Sequence, residues 1–244
     1  MAEKSKIEWT NSSWNPTTGC TKVSAGCTNC YAETLALRLQ KMGSKRYRNA
    51  FKLTLHEDAL NLPLKWKRPK KIFVDSMSDL FHKDVPFDFI DKVWDVMFKA
   101  NWHIYQILTK RPEIMLQYLE ERRKVSHALN ISPKHIWLGT SVEDSKVIHR
   151  IDTLRKVPAA IRFISFEPLI GDVGKLDLSN IHWAIVGGES GPNHRSMKEE
   201  WALNILKQCR NQNVPFFFKQ WGGIKSKSGG RALQGKIYDE YPET

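Results

Sequence analysis

Six short apolar runs, at 72–76, 103–109, 135–141, 161–167, 182–188 and 215–221, constrain this chain more than any other feature; each closes on small or polar residues. Runs this short and this continuously apolar read as strands buried on both faces. Helix signals lie between most of them. Pro86 opens a segment with Ile90, Val93, Trp94 and Met97 on one face, and Pro112 opens another with Met115, Leu116 and Leu119. Two further amphipathic stretches run over 143–156 and 198–211. Strand and helix in alternation imply right-handed crossovers and a parallel sheet. With one more short strand expected near Ile7 to Trp9, the pattern predicts an α/β chain folded as a complete or partial parallel (β/α) barrel.

Composition places that barrel among ordinary folded domains. With 41% hydrophobic and 11% aromatic residues the 244-residue chain has enough apolar surface to offset the entropy of ordering. A single domain over 1–244 is expected, with a basic insert at about 44–71 and a flexible basic C-terminal segment at about 223–244. The longest apolar run, from Val214 to Phe218, is far too short to span a bilayer, and Met1 to Thr10 lacks the apolar core of a signal peptide. A soluble, cytoplasmic chain without membrane contact is expected. The net charge of +12 is concentrated. Between Arg38 and Lys71 eleven basic residues face only Glu57 and Asp58, and Lys219 to Lys236 adds five more without an acid. Such charge, interleaved with Tyr47, Phe51 and Trp66, suits a nucleic-acid partner as well as it suits a solvated face.

In parallel barrels chemistry gathers at the C-terminal ends of the strands. Those ends carry Asp75, Ser76, Ser78 and Asp79; Thr109, Lys110 and Arg111; Thr140, Ser141 and Glu143; Ser165 and Glu167; Gly187, Gly188, Glu189 and Ser190; and Lys219 with Gln220. Short polar side chains and carboxylates at six ends point to a ligand pocket. Glu167, ahead of Pro168, reads as a buried carboxylate for a ligand hydroxyl or as a cap for a loop amide. Lys219 closes a very apolar strand, so its amine either meets an anion in the pocket or snorkels to the rim. His103, His135 and His182 open strands at the opposite end and read as structural.

Cys20, Cys27 and Cys30 form C-x6-C-x2-C, while Cys209 reads as core packing. A structural zinc site wants four protein ligands, and the nearest further Cys or His is His56. Zinc completed by a distant histidine stays open. Three thiols also suit an iron–sulfur cluster with one iron left for an outside ligand, and a helix predicted from Tyr31 to Lys41 would turn its N-terminal amides toward the cluster's negative charge.

These cysteines, set in Asn15-Pro16-x-x-Gly19-Cys20 and Gly26-Cys27-x-x-Cys30-Tyr31-Ala32, resemble the radical SAM superfamily, in particular its spore photoproduct lyase-like branch. Closer still is the phage-associated radical-SAM-like family of three-cysteine-motif proteins. That likeness is carried by Ser76-Met77-Ser78-Asp79-Leu80-Phe81-His82, Leu108-Thr109-Lys110-Arg111-Pro112, Gly139-Thr140-Ser141-Val142-Glu143, Ser165-Phe166-Glu167-Pro168-Leu169, Val186-Gly187-Gly188-Glu189-Ser190-Gly191 and Phe218-Lys219-Gln220-Trp221-Gly222. The resemblance implies a [4Fe–4S] cluster on Cys20, Cys27 and Cys30. It also implies S-adenosylmethionine bound in the pocket and reductively cleaved to a 5′-deoxyadenosyl radical, with an electron donor as partner. The superfamily's first cysteine gap is three residues and here it is six. Its Gly-Gly-Glu segment follows an early strand, whereas Gly187-Gly188-Glu189 follows a late one. Ser76, Ser78 and Asp79 are then expected to accept the amino group of S-adenosylmethionine. Among the other cofactor candidates are Thr109, Lys110, Thr140, Ser141, Glu143, Gly187, Gly188, Glu189 and Ser190, with Glu167 and Lys219 as catalytic candidates. Three readings follow: a radical SAM enzyme acting on nucleic acid or a nucleotide, one acting on a protein or metabolite, and a non-enzymatic metal-binding nucleic-acid or partner-binding module.

Overall fold

Alternation along each apolar run decides the architecture, because successive strand residues point to opposite faces. The computed structural model describes residues 5–126, 133–225 and 227–243. Met1 to Lys4, Ser226 and Thr244, which the readings of the two chain ends touched, lie outside the described residues. In chain order the elements are β1 (Ser12–Trp14), β2 (Thr17–Thr18), α1 (Tyr31–Lys41), β3 (Thr54–Leu55), α2 (Leu62–Lys65), β4 (Lys71–Val74), α3 (Phe87–Lys99), β5 (Ile104–Thr109), α4 (Pro112–Ser126), β6 (Ile136–Ser141), α5 (His149–Lys156), β7 (Ile161–Phe166), β8 (Trp183–Gly187), α6 (Glu199–Asn211) and β9 (Phe216–Gln220). One seven-stranded sheet runs β1-β4-β5-β6-β7-β8-β9 with every neighbouring pair parallel. Among the described residues β9 does not pair with β1, so the fold is a partial parallel (β/α) barrel.

Both faces of this sheet bury apolar side chains. Phe73, Trp137, Phe163, Trp183, Ile185 and Phe217 point inward and form an interior cluster closed by Trp9, whose ring lies 4.7 Å from that of Phe73. Alternating with them, Ile72, Val74, Ile136, Leu138, Ile164, Phe166, Val186 and Phe218 point outward into a second cluster with Ile90, Val93, Trp94 and Met97 of α3 and Met115 and Leu119 of α4. Burial on both faces explains why the strands show no polar stripe.

Two expectations are corrected. The extra strand is Ser12–Trp14 and not Ile7 to Trp9. Trp9 is consumed in plugging the barrel, while the polar Asn11 starts the pairing by exchanging backbone and side-chain bonds with Lys71. The amphipathic stretch at 143–156 becomes helix only from His149, because Glu143 is held by Lys110 and Arg150 and Asp144 caps a short turn at Ser145–Val147.

The basic insert packs on the barrel's flank: Trp14 Nε1 donates to Ala59 O at 2.8 Å, and Trp102 Nε1 to Trp66 O at 2.8 Å. The C-terminal residues fold back along β9, where Phe218 N donates to Tyr238 O at 2.9 Å and Tyr241 stacks on Trp183 with centroids 5.1 Å apart. No helix among the described residues is long and apolar enough to cross a membrane.

Candidate functional site

The inward rows do not stop at the aromatic layer. Two residues beyond Phe163 comes Ser165 and then Glu167; two beyond Phe217 comes Lys219; and Ser141 continues the row of Trp137. These four line a cleft of about 420 Å³ at the C-terminal end of the sheet. Cys20, Cys27 and Cys30 line the same cleft, as do Ser76, Ser78, Asp79, Thr109, Lys110, Gly188, Glu189 and Ser190. Thr140, Glu143 and Gly187 are not among its lining residues. Thr140 is one residue out of parity, and its hydroxyl donates to Thr109 O at 2.9 Å in the wall.

Three strand-end carboxylates clamp the cysteine loop to the barrel. Asp79 accepts from Thr109 Oγ1 at 2.7 Å, Phe81 N at 3.0 Å, Lys110 N at 3.1 Å and Arg111 Nη1 at 2.9 Å; Arg111 in turn reaches Cys20 and Thr21. Glu143 accepts from Ser24 Oγ at 3.0 Å and pairs with Lys110 at 2.7 Å and Arg150 at 3.1 Å. Glu189 accepts from Asn29 Nδ2 at 3.0 Å and pairs with Arg195 at 2.6 Å. Start, middle and end of the loop are thereby each tied to a different strand exit. Burial works against the charge of Glu143, yet Lys110 and Arg150 hold its carboxyl below the usual range; Arg195 and Asn29 do the same for Glu189. A β-carbon on Gly26 would lie 2.3 Å from the Glu143 side chain, so only glycine admits this approach.

Ser76, Ser78 and Asp79, expected to receive an amino group, are engaged within the chain. Ser76 Oγ bonds Asn15 Oδ1 at 3.1 Å, Ser78 Oγ donates to Gly19 O at 2.6 Å, and Asp79 carries its four donors. Ser190 Oγ accepts from Gln220 Nε2 at 2.9 Å. Glu167 differs. Ser165 donates to its Oε2 at 3.0 Å, whereas Oε1 is buried without a hydrogen bond among the described residues, and Lys219 Nζ stands beside it at 3.1 Å as an ion pair.

The three thiols are free of disulfides and partly exposed. Burial pushes Cys20 up to about 11, Asp79 adds to this and Arg111 opposes it. Burial also raises Cys30, against the pull of the Glu33 and Ala32 amides in the first turn of α1. Among the described residues no three His, Cys, Asp or Glu side chains stand close enough to hold a single metal ion. A [4Fe–4S] cluster makes another demand, one thiolate on each of three separate irons. Three unlinked thiols lining one cleft, with a helix start at Cys30, are a donor set of the chemistry such a cluster takes.

Other side chains fall as their positions dictate. His103 and His135 bond Pro63 O and Met97 O at 3.1 Å, and His182 Nδ1 accepts from Arg162 N at 3.0 Å, all away from the cleft. Cys209 is fully buried in the outer cluster. Ser24, Asn29, Arg150 and Arg195 had no sequence signal as site residues, since their partners lie 119, 160, 7 and 6 positions away and nothing local marks the pairing. Arg111 did carry one, its place in the strand-end set.

Residues 4–242 match the family described as Protein of unknown function (DUF5131). The chain belongs to that family. No curated protein matches this DUF5131 chain. Among solved structures it is similar to spore photoproduct lyase complexed with dinucleoside spore photoproduct, at 14% identity and TM-score 0.45, covering 79% of this chain and 59% of that one. A mutant of the same enzyme matches at 15% identity and TM-score 0.48, covering 88% and 66%. Another, with bound AdoMet and dinucleoside spore photoproduct, matches at 13% and 0.46, covering 80% and 60%. The DUF5131 chain thus spans about three fifths of the length of the first of these structures.

Proposed function

We propose that the chain is a radical SAM-type enzyme acting on nucleic acid or a nucleotide. Cys20, Cys27 and Cys30 would hold a [4Fe–4S] cluster, and the cleft behind them would take S-adenosylmethionine and the substrate. The observation that carries this reading is that three unlinked thiols open onto the same cleft as Glu167, Lys219, Ser165 and Ser141, with the loop that bears them clamped at three points. Bound there, the cluster and S-adenosylmethionine would supply a one-electron reductive cleavage of the sulfonium and a carbon radical that abstracts hydrogen. The chain's own residues would do the rest. Glu167 Oε1 would accept a ligand N–H or O–H, Lys219 would neutralise a ligand anion, and the aromatic layer below would keep water out. Exposed Arg38, Lys41, Lys45, Arg48 and Lys52, which make no ion pair among the described residues, would receive a phosphate backbone.

Anaerobic reconstitution tests the reading. Iron and sulfide near four each per chain, a broad charge-transfer absorption, and 5′-deoxyadenosine released on adding dithionite and S-adenosylmethionine are the expected results. A second reading, a metal-binding module without catalysis, is favoured by the consumption of Asp79, Glu143 and Glu189 in internal pairs. Zinc without iron would select it.

A further inference from the structure

Arg111 is almost wholly buried, and its guanidinium contacts converge on one end of the cysteine loop. Nη1 donates to Asp79 Oδ2 at 2.9 Å and reaches Cys20 Sγ at 3.6 Å; Nη2 donates to Thr21 O at 2.9 Å and to Thr21 Oγ1 at 3.0 Å. His82 fixes the same hydroxyl from the other side. Its Nδ1 accepts from Asp84 N, which puts the ring proton on Nε2, 2.8 Å from Thr21 Oγ1.

The sequence shows why such a hold is needed. Cys27 ends the short turn Ala25–Cys27 and Cys30 caps α1, so both thiols ride on regular structure. Cys20 lies seven positions before Cys27, outside any helix or strand, and its backbone N donates to Phe51 O at 3.2 Å. A longer gap leaves the first thiol more freedom, and freedom must be removed by contacts from elsewhere. We infer that Arg111, oriented by Asp79, is the positioning residue for Cys20: it pins the long side of the loop and sets a cationic donor on the ligand sulfur. This rests on the cluster reading above. A donor on a ligand sulfur stabilises the more negative, reduced cluster and moves the midpoint potential upward.

The experiment compares reconstituted wild type with Arg111→Gln, Arg111→Lys and Asp79→Asn, each checked for folding by circular dichroism and melting. Iron and sulfide content, the rate of iron loss to a chelator, and the midpoint potential are measured. Arg111→Gln is expected to release iron about tenfold faster, as loss of one charge-assisted hydrogen bond implies, with a midpoint shifted negative. Arg111→Lys should bring the midpoint back toward wild type but not the retention, because an ammonium keeps the charge and cannot bridge Thr21 and Cys20 together. Asp79→Asn should fall between, and serves if Arg111→Gln does not fold. Wild-type release and midpoint in folded Arg111→Gln, or in Asp79→Asn should it be the one that folds, overturn the inference alone. A wild-type chain that takes up no iron or sulfide overturns the cluster reading, and the inference with it.

Discussion

Asp75 shows how much one side chain at a strand exit can carry. It sits in the left-handed region at φ 58°, where Asp is among the few side chains tolerated, and is 2% exposed. Its carboxyl accepts from Thr17 N and lies 3.0 Å from Thr17 Oγ1, joining the end of β4 to β2. Burial, with Thr17's bonds opposing, lifts it to about 8. Unfolded, an aspartate titrates near 4, so between pH ~4 and ~8 the folded chain binds a proton that the unfolded chain releases. Stability must therefore fall as pH rises through that window. Asp75→Asn, which cannot titrate, is expected to flatten this part of the melting-temperature profile, by about 2–4 °C or more between pH 5.5 and 8.5 for each kcal/mol involved. Parallel profiles for the two proteins would show that the carboxyl is ionised in the fold. Composition and spacing marked Asp75 only as one more polar strand end; its titration depends on Thr17 and on burial, neither visible locally.

At the scale of elements, the barrel interior is a matter of neighbouring strands sharing volume. Gly139 of β6 is in register with Phe163 of β7, and a β-carbon on Gly139 would lie 2.6 Å from that ring. Gly139→Ala is expected to cost about 1–3 kcal/mol by overpacking, and adding Phe163→Leu should recover part of it, giving a clear coupling in a double-mutant cycle read by urea denaturation. Additive losses would mean that the two positions do not share this space. The strands themselves were legible, since apolar runs of five to seven residues closed by polar ones have few other readings. Their inward and outward rows were not separable from sequence, because both faces are apolar here; helix α5 and strand β1 were misplaced because Glu143 and Trp9 are claimed by distant partners.

For the whole molecule the question is where its charge does work. The exposed basic residues of α1's end and the following turn come directly after the helix that starts at Cys30, and exposed Tyr31 and Leu35 lie on that helix. Replacing Lys41, Lys45, Arg48 and Lys52 by Gln is expected to weaken binding of single- and double-stranded nucleic acid at low salt and to reduce the slope of log affinity against log salt by up to about one per lost phosphate contact. Iron uptake on reconstitution should not change. An unchanged salt slope would assign these charges to solvation alone, and a parallel loss of iron would make them structural.

By itself the sequence determined the alternation of strand and helix, the parallel sheet, the clustering of thiols and the strand ends at which chemistry collects, because all of these are written in local periodicity and spacing. Only the tertiary structure decided which polar strand ends are committed to holding the loop. Asp79, Glu143 and Glu189 look alike along the chain, as does Glu167, yet the first three are clamps and Glu167 keeps a buried oxygen free of hydrogen bonds among the described residues. The difference lies in cations and amides brought from up to 160 residues away, and only the closed geometry of the barrel sets which carboxylate meets them.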